Sequence, residues 1–315
     1  MKEIFHFAFC INDTYVPYIC VTIKSIVENF RQQNITIHVL TDCISDKSQQ
    51  RLNEAIAGGE CKIDLIVYNI DNSQLQGLKN TWSTYAWYRV LLPNYLQKDI
   101  DRVLYLDADT IVSNNISELF HLDMTNNAVA GCLDPESFNT EAFLRCGYDK
   151  EKKYICSGVL MMNLNYWREY QLTNKIIEWG RKNNNIIKFP DQDTINYICQ
   201  DSKIVLPLKY GVMDFFFKEE RFYREPYRQQ LLDCLKCPAI VHYAGQNPWK
   251  RELATAVMQD EWDKYNHMLK HPVEKIYITK GWLLFKMKVW QMLHPYNQSK
   301  RMTKSDVLSK FNETK

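Results

Sequence analysis

Within the first 70 residues, apolar runs of strand length alternate with segments whose apolar residues recur at helical spacing, and this alternation restricts the fold most strongly. Residues 4–9, Ile-Phe-His-Phe-Ala-Phe, read as a strand. Ile19, Ile23, Ile26 and Phe30 then fall at i, i+4, i+7 and i+11, the apolar stripe of a helix. Ile35 to Leu40 is a second strand, Ser45 is placed to cap a helix carrying Leu52, Ala55 and Ile56 that stops at Gly58-Gly59, and Ile63 to Val67 is a third strand. The series predicts an α/β fold with a mainly parallel, Rossmann-like sheet flanked by helices.

Further along, Thr84 to Leu92 is expected to be a helix ended by Pro93, and Arg102 to Leu106 a strand. Val129 to Leu133, Ile155 to Asn163 and Ile240 to Tyr243 read as strands, Tyr166 to Asn183 and Asp193 to Cys199 as helices. With no internal repeat or low-complexity linker, one catalytic domain is expected over residues 1–269, followed by a basic, aromatic tail over 270–315. That tail holds ten Lys/Arg against three acids, and Trp282 to Trp290 mixes aromatic and basic residues. This composition suits contact with an anionic membrane surface; a helix packed on the catalytic domain is the plainer reading.

A net charge of +2 argues against a general nucleic-acid binder. The start, Met1-Lys2-Glu3-Ile4-Phe5, carries no export-signal pattern, and no apolar stretch reaches spanning length, so a cytoplasmic location is expected. The ten cysteines are scattered, several within apolar runs such as those of Cys20, Cys132 and Cys199, as suits reduced, buried thiols. Cys234-x-x-Cys237 with His242 resembles half a zinc site, but no second pair stands at finger spacing. Neither a dinucleotide-binding glycine turn nor a Walker A loop is present.

Chemistry concentrates where apolar runs end. Asp107-Ala108-Asp109 directly follows Val103-Leu104-Tyr105-Leu106, and in an open α/β sheet the carboxyl ends of the strands border the ligand crevice. Two carboxylates there can hold Mg²⁺ or Mn²⁺ against a phosphate, although an acid pair in a loop is more often only a turn. Cys10-Ile11-Asn12-Asp13-Thr14-Tyr15 ends the first strand and can hold a base and ribose, or simply cap the following helix. In Pro190-Asp191-Gln192-Asp193, the acids also suit a helix N-terminus with no catalytic duty. His242-Tyr243-Ala244-Gly245-Gln246-Asn247-Pro248-Trp249-Lys250 offers an imidazole to a metal, and amides plus a cation to phosphate.

Six segments in order resemble glycosyltransferase family 8, the retaining enzymes of the nucleotide-diphospho-sugar (GT-A) fold that include lipopolysaccharide galactosyl- and glucosyltransferases and the glycogenins. They are Asn12 to Tyr15 with Tyr18, Tyr88-Arg89, Val103 to Asp109, Ser157 to Leu160 with Asn163-Leu164, Asp191 to Asp193, and His242 to Gly245 with Pro248-Trp249. The resemblance implies that Asp107, Asp109 and His242 bind Mn²⁺ or Mg²⁺, with Mn²⁺ favoured by the imidazole. It implies that Cys10, Asn12, Thr14, Arg89, Ala108, Cys156, Ser157, Gly245, Asn247 and Lys250, with the two aspartates of the pair, contact a UDP-sugar donor. Asp191 and Gln192 would lie at the reacting sugar, and Asp134 and Ala244 would face the acceptor. The chain departs from the family at two positions: Cys156 stands where many relatives have Asn, and Asn247 where a Lys usually precedes Pro-Trp.

The implied activity is retaining transfer of a hexose from a UDP-α-sugar to a hydroxyl of a glycan or glycolipid of the lipopolysaccharide or capsule type, at the cytoplasmic face of the inner membrane. The two departures also suit a nucleotide-sugar-binding protein without activity. An acid pair with a histidine further suits a metal-dependent phosphohydrolase, which would normally need ligands for a second metal.

Overall fold

Nine strands are present among the described residues: β1 (Ile4–Cys10), β2 (Asn34–Thr41), β3 (Ile63–Asn69), β4 (Arg102–Leu106), β5 (Thr110–Val112), β6 (Val129–Leu133), β7 (Ile155–Asn163), β8 (Lys203–Val205) and β9 (Ile240–His242). The structure, a computed structural model, describes residues 3–58, 62–80, 83–147, 149–245, 247–250, 257–276, 285, 289 and 303–313. Seven strands form one sheet in the order β3-β2-β1-β4-β7-β6-β8, and β5 pairs with β9 in a small second sheet. In the large sheet only β7 runs against the others, antiparallel to β4 and β6. The chain winds from β1 through β2 to β3 and then returns to place β4 on the other side of β1. Such a reversal opens a crevice between the carboxyl ends of the two central strands. It is here that Asp107 follows β4.

Alternation of side chains divides the core between the two faces of the sheet. Phe5, Phe7 and Phe9 of β1 pack with the Ile19, Ile23, Ile26 and Phe30 stripe of helix Val16–Asn29, while Ala8 and Cys10 face Trp87, Tyr105, Met162, Trp167 and Ile195. Burying one such aliphatic or aromatic side chain contributes about 1.5–3 kcal/mol, so the stripe alone fixes this helix on the sheet. Helix Asp46–Ile56 begins where Ser45 accepts a hydrogen bond from the Ser48 amide, and Leu52 and Ala55 are buried under it. A third core, containing Val241, Trp249, Trp262 and Phe222, lies under β5 and β9. The nine described cysteines are free thiols.

Two helices and two strands differ from the periodicity reading. Pro93 does not end a helix but sits in the first turn of a short one, Leu92–Tyr95, where its missing N–H has no partner to lose. Ahead of it, helix Tyr85–Tyr88 passes into a 3₁₀ turn at Arg89–Leu91. The segment expected as one helix from Tyr166 to Asn183 is two, Leu164–Glu169 and Leu172–Lys182, separated by Gln171 at φ +52°. The break is needed because buried Leu164 and Trp167 set a stripe that continues through 171, whereas Leu172, Ile176 and Ile177 are the residues buried next. β5 and β8, three residues each, are too short to carry a period.

Most of the tail segment Trp282 to Trp290 lies outside the described residues; Phe285 and Val289 within it are exposed. Helix Lys304–Glu313 buries Val307 and Phe311 in the third core, where Phe311 meets the Tyr223 ring and its carbonyl accepts from Arg228. No helix among the described residues is long and apolar enough to cross a membrane.

The loop that leads into β4 is held by one side chain. All five N–H groups of Arg168 donate to carbonyls of Pro93, Leu96, Gln97, Lys98 and Ile100, at 2.8–3.2 Å. Lysine has one nitrogen to offer in place of this fork. Arg168→Lys is therefore expected to cost about 2 kcal/mol in a urea unfolding titration, from several charge-assisted bonds lost and partly replaced by water.

Candidate active site

Two residues before Asp107 on β4, and thus on the same face, Tyr105 donates its hydroxyl to Asp107 Oδ1 at 2.6 Å. Arg89, from the 3₁₀ turn, donates Nη2 to the same oxygen at 3.0 Å and packs 4.2 Å above the Tyr105 ring. Its Nη1 donates to the Ser157 carbonyl at 2.6 Å, and its Nε lies 3.1 Å from Asp191 Oδ2. Thus Oδ1 of Asp107 is engaged and Oδ2 is left toward the crevice. Burial pushes the Asp107 carboxyl up, but Arg89, His242 and Tyr105 outweigh it and hold the group below its ordinary value. At Asp191 burial wins over Arg89 and Ser157, and the carboxyl is raised.

The short sheet brings an imidazole to the two carboxylates. Thr110 of β5 stands opposite His242 of β9, and Tyr243 donates its amide to the Asp109 carbonyl at 2.9 Å. His242 Nε2 consequently lies 3.4 Å from Asp109 Oδ1 and 3.8 Å from Asp107 Oδ2. The ligand atoms of Asp107, Asp109 and His242 are all within 4.8 Å of one another. Two carboxylates and an imidazole suit Mn²⁺, and Mg²⁺ less well.

A glycine makes room for this group. β6 and β7 pair at Gly131↔Leu160 and again at Leu133↔Ile155, so Cys156 to Val159 bulge opposite the single residue Cys132. Bulges of this kind re-aim a strand beside a site. Here the bulge brings Gly158 against two of the three side chains: a Cβ on it would lie 2.3 Å from His242 Cε1 and 2.6 Å from Asp107 Oδ2. The Gly158 carbonyl accepts from the Asp107 amide at 2.8 Å, which fixes the two backbones together.

Beside the acids is a cavity of about 390 Å³. Cys10, Asn12, Arg89, Asp107, Ala108, Asp109 and Asn247 all line it, as do Tyr15, Tyr85, Tyr105 and Trp249. A larger depression of about 700 Å³, between Phe138 and Arg224, has none of the three metal-ligand candidates on its walls. Asn12 Oδ1 accepts from Thr14 Oγ1 at 2.7 Å and from the Tyr15 amide at 3.2 Å, so Thr14 braces the turn and does not line the cavity. Trp249 is buried and stacks on Tyr18 at 3.9 Å between centroids, which anchors the end of the loop Ala244 to Lys250. Gly245 and Asn247 in that loop have φ of +74° and +45°, a region open to Gly and tolerated by Asn. Ala244 is exposed, and Lys250 is half-buried, its amide bonded to the Asn247 carbonyl.

The Asp191-Gln192-Asp193 run separates by function at the start of helix Pro190–Ile198. Asp193, fully buried, accepts from Arg145, Tyr154 and the amides of Lys188 and Phe189, and so secures the helix entry. Asp191 turns the other way, to Arg89 and to the Ser157 hydroxyl at 2.8 Å. Gln192 Oε1 accepts from the Ser157 amide at 2.9 Å, and its side chain also bonds Asp134. Burial, partly offset by the Glu136 amide, pushes the Asp134 carboxyl up to about 6. Cys156 is not on the cavity wall; its Sγ lies 3.5 Å from His242 Nδ1.

Cys234 and Cys237 form no metal-binding group with His242 among the described residues. Cys234 is buried in the third core, Cys237 is exposed, and His242 stands with the two aspartates, the only group of potential metal ligands among the described residues. Tyr85 belongs to the site without a signal in the sequence, and Gly158 is marked there only as part of the segment Ser157 to Leu160, with no role. Tyr105 could have been found from its spacing to Asp107.

A family model described as glycosyl transferase family 8 matches residues 6–252. The lipopolysaccharide 1,2-glucosyltransferase of Escherichia coli K12 is 27% identical over 253 residues, 79% of this chain and 74% of that one. The lipopolysaccharide 1,3-galactosyltransferase of Salmonella typhimurium is 26% identical over 254 residues, 78% and 73% of the two chains. Among solved structures, galactosyltransferase LgtC in complex with donor and acceptor sugar analogs aligns with a TM-score of 0.74 at 23% identity, covering 84% of this chain and 96% of that one. That likeness shows the GT-A fold. Since the family match runs unbroken through the crevice, the bulge and the loop that carry the site, the chain belongs to glycosyl transferase family 8.

Proposed function

We propose that this protein transfers a hexose from a UDP-α-sugar to a hydroxyl of a lipopolysaccharide-type glycan or glycolipid, with retention, using Mn²⁺. The observation that carries the proposal is the convergence of Asp107, Asp109 and His242, with both aspartates on the wall of a cavity of about 390 Å³. Two relatives named for lipopolysaccharide glucosyl and galactosyl transfer support the acceptor class. When bound, the metal supplies a positive charge to the diphosphate that leaves the sugar.

The chain's own residues do the positioning. Asn12, Tyr15 and Tyr85 offer the cavity a polar turn and two aromatic rings for base and ribose. Arg89 holds Asp107 and Asp191 apart in fixed orientation, so neither carboxylate has to reorganise as charge develops. Gln192 has its carbonyl engaged by the Ser157 amide, which turns it away from a role as nucleophile. Asp191 has its carboxylate divided between Arg89 and Ser157. Both arrangements favour front-face attack, in which the leaving diphosphate takes the proton of the acceptor hydroxyl. Asp134 is further proposed to accept a hydrogen bond from that acceptor. A lipid-linked acceptor would lie at the cytoplasmic membrane surface, and the basic aromatic stretch near residues 282–290 is the segment proposed to meet it.

Asp109→Asn is expected to abolish turnover and Mn²⁺-dependent UDP binding in a calorimetric titration, with an unchanged melting curve. Ordinary turnover by the folded variant would contradict the metal assignment. Asp134→Asn is expected to raise the acceptor KM roughly tenfold, the worth of one hydrogen bond to a charged group. The same variant has a stability signature. A carboxyl raised to about 6 in the fold binds more protons than in the unfolded chain, where it titrates near its ordinary value of 3.8. Its contribution is therefore favourable at low pH and is lost as pH rises from about 4 through about 6. Melting temperatures across this window should show that slope in the wild type and a shallower one in Asp134→Asn.

A further inference from the structure

We infer that Cys156 is the positioning residue of the metal-binding histidine: its sulfur holds the Nδ1 proton of His242 so that Nε2 presents its lone pair between the two aspartates. The inference rests on the metal reading of the Asp107, Asp109 and His242 group.

Three observations lead to it. Cys156 Sγ lies 3.5 Å from Nδ1, both groups are buried, and this sulfur is the hydrogen-bond partner of Nδ1 among the described residues. On the opposite edge of the ring, Nε2 faces Asp109 Oδ1 at 3.4 Å and Asp107 Oδ2 at 3.8 Å. The ring is also confined, since the place of a Gly158 Cβ would fall 2.3 Å from Cε1. An imidazole that binds a metal through Nε2 carries its proton on Nδ1, and a partner for that proton sets both tautomer and ring angle.

The bulge in β7 explains how a residue in this segment comes to do so. By opposing four residues to one, it leaves Cys156 pointing under the β5–β9 sheet, among Ile111, Val241 and Tyr243, while Ser157 points to Asp191 and Gly158 to the metal ligands. The departure from Asn at this position thus does more than remove a polar group from the sugar subsite. It places a sulfur behind the histidine, while Ser157 donates its hydroxyl to Asp191 and its amide to Gln192.

The test is direct Mn²⁺ binding to the full chain, read from the free-ion signal in electron paramagnetic resonance, with no substrate present. Cys156→Ala is expected to weaken Mn²⁺ about 10 to 100-fold, the range found when the hydrogen-bond partner of a metal-binding histidine is lost. Cys156→Ser, which keeps an acceptor at the same place, is expected to recover most of that loss. Asp109→Asn is measured alongside. If the wild type binds Mn²⁺ and loses it in Asp109→Asn, yet Cys156→Ala binds as the wild type does, the positioning role is overturned and the metal reading stands. If Ala and Ser variants lose affinity equally, the acceptor role is overturned in favour of packing alone. If the wild type itself binds no Mn²⁺, the metal reading fails and this inference with it.

Discussion

One buried guanidinium ties the active-site region together. Arg89 sits between Asp107 and Asp191, touches the Ser157 carbonyl and covers the Tyr105 ring. A buried cation with two acids is costly to dehydrate, and removing one partner of such a set usually costs about 3–5 kcal/mol. What the arrangement contributes is placement. Through Arg89 the end of β4, the bulge of β7 and the first turn of helix Pro190–Ile198 are held at hydrogen-bond distance from one another. The orientation of Asp107, with one oxygen engaged and the other free, follows from it.

Much of this architecture is legible in the sequence, for reasons that differ by element. β1 to β4 follow from apolar runs of strand length, and helix Val16–Asn29 from a 3.6-residue period long enough to be read. The break at Gln171 is visible only once the burial of Leu172 and Ile176 is known, because composition alone supports one continuous helix. β5 and β8 are defined by pairing partners far along the chain, and three residues cannot show that. Within the site, the acid pair is marked by its position after an apolar strand. His242 is brought to it by the β5–β9 pairing, which local spacing does not encode. Asp191 and Asp193 look alike in sequence; the amides of Lys188 and Phe189, both bonded to Asp193, are what assign it to structure. Gly158 falls in a segment that marks the family resemblance, but its role there, an absent atom, is visible only in the structure.

The two departures from the family pattern acquire physical content in the fold. Asn247 lines the cavity with a positive φ, and the Lys250 amide is bound to the Asn247 carbonyl, while Ile276 donates its amide to the Trp249 carbonyl next to it. The cationic side chain lining the cavity among the described residues is Arg89, already committed to two acids. Under the proposed function, the negative charge of a diphosphate falls mainly to the metal, which gives the geometry of its three ligands unusual weight. Cys156, which touches one of those ligands, belongs to the same problem.

The central claim is that one ion joins the Asp107, Asp109 and His242 group to a diphosphate in the adjoining cavity. Pulsed electron paramagnetic resonance of Mn²⁺ bound with UDP tests it most directly, because the ion reports the nuclei around it. The account predicts coupling to a single imidazole nitrogen, lost on substitution of His242, together with coupling to phosphorus. Phosphorus coupling without any nitrogen, unchanged in the His242 variant, would mean that the ion arrives with the nucleotide and is held elsewhere, and would contradict the account.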